Sequence, residues 1–317
     1  MWKVKLRTLL LVFAALGMLC GLASATDLEC IVTRGGSLED GVQVTLCPGG
    51  VTKTTTGGMA LFATVAPGEY TVTAQKTIGG TLYGALEEGV SVVANSHVVV
   101  NVELTEAVYI PSCFPLALNN QWLYGTWNKE TATGTVSKGS RTEKVVGTHV
   151  IAGDTAQVIQ VTESGGTGWS QYQASGRCGW AYYGEMTGPV TKLFDPCLRI
   201  PRVLPLNQPV AMQTTVKSSD GSPDIPMKAQ VVFAGSETIT VPAGTFACAR
   251  LDIKLRTGHE DNAMSMWVAP NVGTVQVHEV KPGKEHRRQL EQYSVRGVRP
   301  LPGPIIPGPV RPGRGGG

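Results

Sequence analysis

Charge is scarce in this chain. Of 317 residues only 16% are Asp, Glu, Lys or Arg, aromatic rings make up 6%, and there are five histidines. With no 3.6-residue apolar period in any long window, this composition excludes a coiled coil. A hydrophobic share of 42% excludes a generic disordered chain. Catalytic signatures are missing too: the sequence has no HExxH, no GxSxG, no P-loop and no dinucleotide fingerprint. It has no CxxC pair and no histidine cluster, which leaves zinc without a ligand set. The expectation is a non-enzymatic protein with no catalytic residue, no metal and no cofactor.

What is abundant is turn and strand chemistry. There are 39 Gly and 20 Pro, and about one residue in five is Val or Thr. Val and Thr suit pleated, half-buried surfaces, and Gly and Pro punctuate them, so an all-β chain of short strands is expected. Residues 1–25 read as a secretory signal peptide: Lys3, Lys5 and Arg7 precede an apolar run from Leu9 to Leu22, and Ala23-Ser24-Ala25 ends it. The apolar run is shorter than the roughly 20 residues that cross a bilayer. Lipidation at Cys20 would call for a small residue before it, where the chain has Leu19. No later stretch is apolar enough to span a membrane, so the mature protein is expected to be secreted or periplasmic, at the cell envelope.

Six cysteines remain beyond the signal: Cys30, Cys47, Cys113, Cys178, Cys197 and Cys248. In an oxidising compartment they read as up to three disulfides, and six cysteines allow fifteen connectivities. Cys30 and Cys47 flank the hairpin-like CIVTRGGSLEDGVQVTLC and are expected to pair. Cys178 with Cys197 is the next most local choice, leaving Cys113 with Cys248.

Residues 27–106 alternate with period two between turns, as in a small antiparallel β-sandwich. Val42, Val44 and Leu46 share one face, as do Tyr70, Val72 and Ala74, and Val100, Val102 and Leu104. The opposite face carries Gln43, Thr45, Thr71, Thr73, Asn101 and Glu103 and is expected to be wet. GVQVTL at 41–46, TTTGGMALF at 54–62 and VAPGEYTVTA at 65–74 occur in an order that resembles the carboxypeptidase regulatory-like family of prealbumin-like sandwiches. That resemblance implies a folding and binding module related to starch-binding folds, without catalytic residues. Gly57-Gly58 departs from the acidic residue that precedes glycine in the family.

Residues 107–295 form the second unit. FPLALNNQWLY (114–124), VPAGTFACARLDIKL (241–255) and MWVAPNVGTVQV (266–277) resemble, in that order, a family of bacterial envelope domains. The resemblance implies an open antiparallel sheet curled into a half-barrel, like envelope lipid and lipoprotein carriers. Asn119 and Asn271 stand where that family commonly has glycine. Independently, Ala249, Leu251, Ile253 and Leu255 alternate with Arg250, Asp252, Lys254 and Arg256, a strand with one wet face. Lys284 to Gln292 reads equally as a short helix or a terminal strand.

The aromatic residues are the candidate binding set. Trp122, Tyr124, Trp127, Trp169, Tyr172, Trp180 and Tyr182 can line the concave side of a curled sheet, where flat rings stack on sugars or cover acyl chains. The alternative is that they fill its core. Trp122 and Tyr124 share a face, as do Trp180 and Tyr182, while Tyr183 points the other way. His97, His149, His259, His278 and His286 are scattered. His259-Glu260-Asp261-Asn262 reads as a hairpin loop, and Asp220 and Asp224 in SSDGSPD as a turn.

Residues 296–317, RGVRPLPGPIIPGPVRPGRGGG, carry six Pro, seven Gly and four Arg and are expected to be a disordered tail. The formal charge of +3 comes from this tail and the signal: between them lie 20 basic against 24 acidic residues. That balance gives no footprint for specific nucleic-acid binding. The expected partner is a glycan, a cell-wall polymer or an envelope protein, with a lipid or acyl chain carried in the half-barrel as the alternative.

Overall fold

The computed structural model describes residues 26–166, 168–258 and 260–296. The signal segment, most of the tail and His259 lie outside them. The chain is all-β, as the alternation requires. The N-terminal strands are β1 (Thr26–Arg34), β2 (Ser37–Leu38), β3 (Gln43–Cys47), β4 (Val51–Thr54), β5 (Met59–Val65), β6 (Gly68–Ile78), β7 (Thr81–Val92), β8 (His97–Glu103) and β9 (Thr105–Tyr109). A single-turn helix, α1 (Ile110–Cys113), leads to the second half. There follow β10 (Gln121–Glu130), β11 (Val136–Ile151), β12 (Asp154–Glu163), β13 (Trp169–Gly176), β14 (Gly179–Thr187), β15 (Val190–Pro201), β16 (Val203–Pro205), β17 (Pro209–Ser218), β18 (Ile225–Val241), β19 (Gly244–Thr257), β20 (Glu260–Ala269), β21 (Gly273–Lys281) and β22 (Lys284–Ser294).

The N-terminal strands make a two-sheet sandwich. One sheet joins β2, β1, β5 and β8, the other runs β16-β9-β7-β6-β3-β4. Between them Leu28, Val44, Phe62, Val72, Ala74 and Val102 are buried in one cluster, so the alternating apolar positions do form the core. The sandwich is not purely antiparallel, because β8 runs parallel to β1 from Asp27↔His97 to Thr33↔Glu103. The expected wet face is also partly dry. Thr45 and Thr73 are 1% and 2% exposed, since that side of the six-stranded sheet packs toward the second half of the chain.

The second half corrects the expected half-barrel. Twelve strands, β10 to β15 and β17 to β22, close into an antiparallel barrel. Closure depends on β22, the segment that read equally as helix or strand: it pairs with β10 from Gln121↔Ser294 to Glu130↔Lys284. Pairing the last strand to the first removes both open edges. The outer face carries exposed Lys144, Lys228, Lys254 and Arg287, unlike the apolar belt of a membrane barrel.

A strand from between two barrel strands completes the sandwich. The β15–β17 connection leaves the barrel as β16 and becomes the edge of the six-stranded sheet, pairing Val203, Leu204 and Pro205 with Tyr109, Val108 and Ala107. A boundary at 106/107 therefore falls inside β9.

The disulfide pairing is also a correction. Cys47 bonds Cys178, with Cα atoms 5.7 Å apart, and Cys30, Cys113, Cys197 and Cys248 are free. Cys30 and Cys47 cannot face each other across a hairpin because β1 and β3 belong to different sheets. Cys30 points into the sandwich core, whereas Cys47, in phase with Thr45, lies on the face turned to the barrel. Burial pushes the thiols of Cys30, Cys113 and Cys248 up to about 12. Iodoacetamide at pH 8 is therefore expected to label Cys197 alone in the native protein, and all four thiols after unfolding without reductant. Peptide mapping reads this, and labelling of Cys47 would contradict the pairing.

Candidate binding site in the barrel

The three quoted phrases of the second half meet at one end of the barrel. Asn120 is fully buried: its Nδ2 donates to Pro115 O at 2.8 Å and its Oδ1 accepts from Arg296 N at 2.7 Å. One amide thus ties the segment entering the barrel to the segment leaving it. Trp122 Nε1 donates to Val272 O at 2.5 Å and Tyr124 OH to Thr274 O at 3.2 Å, holding the turn before β21. Asn119 and Asn271 both adopt positive φ, 69° and 62°. Asparagine is among the few residues that tolerate this region. Val241, Phe246 and Cys248 of the middle phrase complete the same core cluster.

Inside the barrel this cluster borders a cavity of about 160 Å³. Trp122, Tyr124, Trp180 and Tyr182 line it, and Gln171, Gln173, Arg141, Glu143 and Arg288 supply its polar groups. Four of the seven candidate aromatics are thereby brought together. Trp169 lies beside them, under the Arg141 guanidinium at 4.9 Å. Two are elsewhere. Trp127 pairs with Arg287 on the outer face and stacks with it at 5.2 Å. Tyr172 belongs to an outer cluster with Ala156, Ala181 and Tyr183, where Tyr183 OH donates to Asp154 Oδ2 at 2.9 Å. Tyr183 does face away from Tyr182, as the alternation required.

The cavity's aromatic wall is partly occupied by itself. Phe114 stacks on Trp180 at 4.7 Å, Trp180 on Tyr182 at 6.0 Å, and Tyr182 tilts against Phe194 at 5.3 Å. Ring faces engaged in this way stiffen the wall.

The polar groups of the cavity are not evident from the sequence. Arg141 and Glu143 are two apart on β11 and so share a face, and Arg288 reaches the same place from β22. Glu143 Oε1 accepts from Arg141 Nη2 at 2.7 Å and from Arg288 Nη1 at 2.8 Å. All three side chains are only 12–14% exposed. Burial pushes the Glu143 carboxyl up, but the Arg288 and Arg141 charges outweigh it and hold the group below the usual carboxylate range. Burial, with the nearby Glu143 charge, raises the Tyr124 hydroxyl; burial, with Glu185, raises that of Tyr182, so both stay neutral donors. Arg288 Nε is buried without a partner. The only advance signal was the alternation of charged residues in SRTEK and EHRRQL, which resembles an ordinary wet face.

No protein-family model matches the chain, and no curated protein is significantly similar to it, so the two family resemblances rest on the quoted motifs. Two solved structures align with part of it. One is a predicted lipoprotein from Parabacteroides distasonis, 15% identical, TM-score 0.33, covering 57% of this chain and 98% of its own. The other is a predicted exported protein with a YmcC-like fold from Bacteroides fragilis, 14% identical, TM-score 0.28, with the same coverage. At these scores neither defines the fold of this chain.

Proposed function

We propose that the protein is a non-enzymatic, secreted or envelope-associated binding protein that takes a small carbohydrate unit in the barrel cavity. The observation that carries this reading is the composition of the cavity wall: neutral amides at Gln171 and Gln173 and guanidiniums at Arg141 and Arg288, set against Trp122, Tyr124, Trp180 and Tyr182. Planar polar side chains beside aromatic rings suit a ligand that presents hydroxyls on one side and C–H groups on the other. A volume of 160 Å³ amounts to about five water molecules and lies below the usual 300–1,000 Å³ of ligand pockets, which favours a sugar unit over a chain. Export is supported by the N-terminal signal pattern and by the disulfide, which belongs to an oxidising compartment. The charged outer face supports a barrel surrounded by water.

A second reading, carriage of an acyl chain, is favoured by one feature. Phe114, Pro115 and Leu116 line both this cavity and a neighbouring one of about 460 Å³, so their displacement would join the two. Native mass spectrometry after gentle purification separates the readings. A protein free of lipid that binds members of a glycan panel supports the first; a co-purified lipid supports the second. Turnover of an ester, peptide or glycan that depends on a named residue would overturn both.

A further inference from the structure

We propose that the larger cavity, between sandwich and barrel, is a binding site for a phosphoryl group, built on Arg202 and Arg177. Arg202 sits in the connection that carries the chain from β15 into β16, and only 8% of it is exposed. Its Nη1 donates to Thr45 Oγ1 at 2.7 Å, and its guanidinium lies 5.4 Å from the centre of the Tyr109 ring. Neither contact carries negative charge. Nε has no hydrogen-bond partner, and no carboxylate among the described residues lies within ion-pair distance of this arginine.

Withdrawing a guanidinium from water is costly without counter-charge or a full set of acceptors, and this one has only Thr45 and the Tyr109 ring in the folded chain. Arg141 and Arg288 show the contrast, because each reaches Glu143.

The cavity that Arg202 lines measures about 460 Å³, within the ordinary range for ligand sites, and lies at a junction of two structural units, where such sites concentrate. Its polar lining consists of Tyr109, Thr155, Gln157, Ser175, Arg177 and Arg202, with no Asp or Glu. Arg177 is exposed and precedes Cys178, so the disulfide anchors its backbone beside the sandwich, where its Cβ stem abuts Gly50. The site offers one fixed guanidinium, one free to close over a ligand, and neutral hydroxyl and amide donors. Two positive charges and forked N–H donors fit a phosphate dianion, which accepts in bidentate fashion and carries about −1.5 to −2 charge at pH 7. This proposal does not rest on the carbohydrate reading of the barrel cavity.

Thermal melts and calorimetric titration of the full mature chain test it with inorganic phosphate and glycerol 3-phosphate, against glycerol and sodium chloride at matched ionic strength. Phosphate or its ester is expected to raise the melting temperature, and the controls to leave it unchanged. A response to phosphate alone assigns the site to the free ion, and a stronger response to glycerol 3-phosphate assigns it to an ester. Arg202→Met keeps the packing on Tyr109 and removes the charge. It is expected to melt at or above the wild-type temperature without phosphate and to lose the phosphate response at least tenfold in affinity. Arg177→Gln, at an exposed position, is expected to weaken phosphate at least fivefold with an unchanged melt, and it decides the matter should Arg202→Met fold poorly. A wild-type protein indifferent to both phosphates, or a response that survives Arg177→Gln undiminished, overturns the proposal.

Discussion

Replacing Glu143 by glutamine is expected to cost about 3–5 kcal/mol of folding stability. The substitution leaves the Arg288 guanidinium without a counter-charge beside Arg141 inside the barrel, while Arg141 keeps only the part-exposed Glu163 at 3.4 Å. Urea denaturation of wild type and variant measures the loss. Replacing all three residues together, as Arg141→Met, Glu143→Leu and Arg288→Met, is expected to recover most of it, because a buried ionic cluster is worth little against apolar packing of similar volume. The pH dependence has a fixed sign. The folded-state Glu143 carboxyl titrates below its unfolded value of about 4.3. Its stabilisation is therefore complete above that pH and is lost as pH falls through the lower, folded-state value. The acid limb of the stability profile should be shallower in Glu143→Gln than in wild type.

The second large effect concerns the Cys47–Cys178 bond. It closes a loop of 131 residues, and on the chain-entropy account its removal costs about 5 kcal/mol, mostly by freeing the unfolded state. Cys47→Ser with Cys178→Ser is expected to melt well below wild type, yet to keep the sandwich docked on the barrel. Contacts other than the bond hold that docking, among them the pairing of β16 with β9, Ile110 N donating to Arg202 O at 2.9 Å, Leu206 N donating to Glu106 O at 2.7 Å and Arg202 Nη1 donating to Thr45 Oγ1 at 2.7 Å. Denaturant midpoints measured with and without reductant, on wild type and the double variant, check this. Equal midpoints in all four samples would mean that the bond contributes nothing.

These cases also mark where sequence reasoning succeeded and stopped. Period-two alternation is a local property, so it located the core of the sandwich and the buried row at Leu251 and Ile253, with the paired charges Arg250 and Asp252 on the outer side. It equally separated Tyr183 from Tyr182. Alternation says which residues share a face; it does not say what that face meets. Thr45 and Thr73 look like solvent-facing positions and are buried because another part of the chain covers them. Arg141 and Glu143 look like one more polar row and instead line the cavity inside the barrel. Closure itself is decided by the pairing of β22 with β10, across more than 150 residues, and the disulfide by the docking of two sheets. Both depend on tertiary contacts that no local pattern encodes. Within the aromatic set, Trp127 and Tyr172 lie away from the cavity for a related reason. Sharing a chemical type does not place two rings on the same side of a curved sheet.

A binding protein needs the barrel cavity to take a ligand and not to be an imperfection in a packed core. Titrating a glycan panel into wild type and Gln171→Leu while following tryptophan fluorescence tests this, since Trp122 and Trp180 line the cavity. The variant keeps the size of the side chain and removes its hydrogen bonds. A saturable change in wild type, weakened at least tenfold in Gln171→Leu at an unchanged melting temperature, is the predicted result. No change with any glycan, or an equal response from the variant, would contradict it.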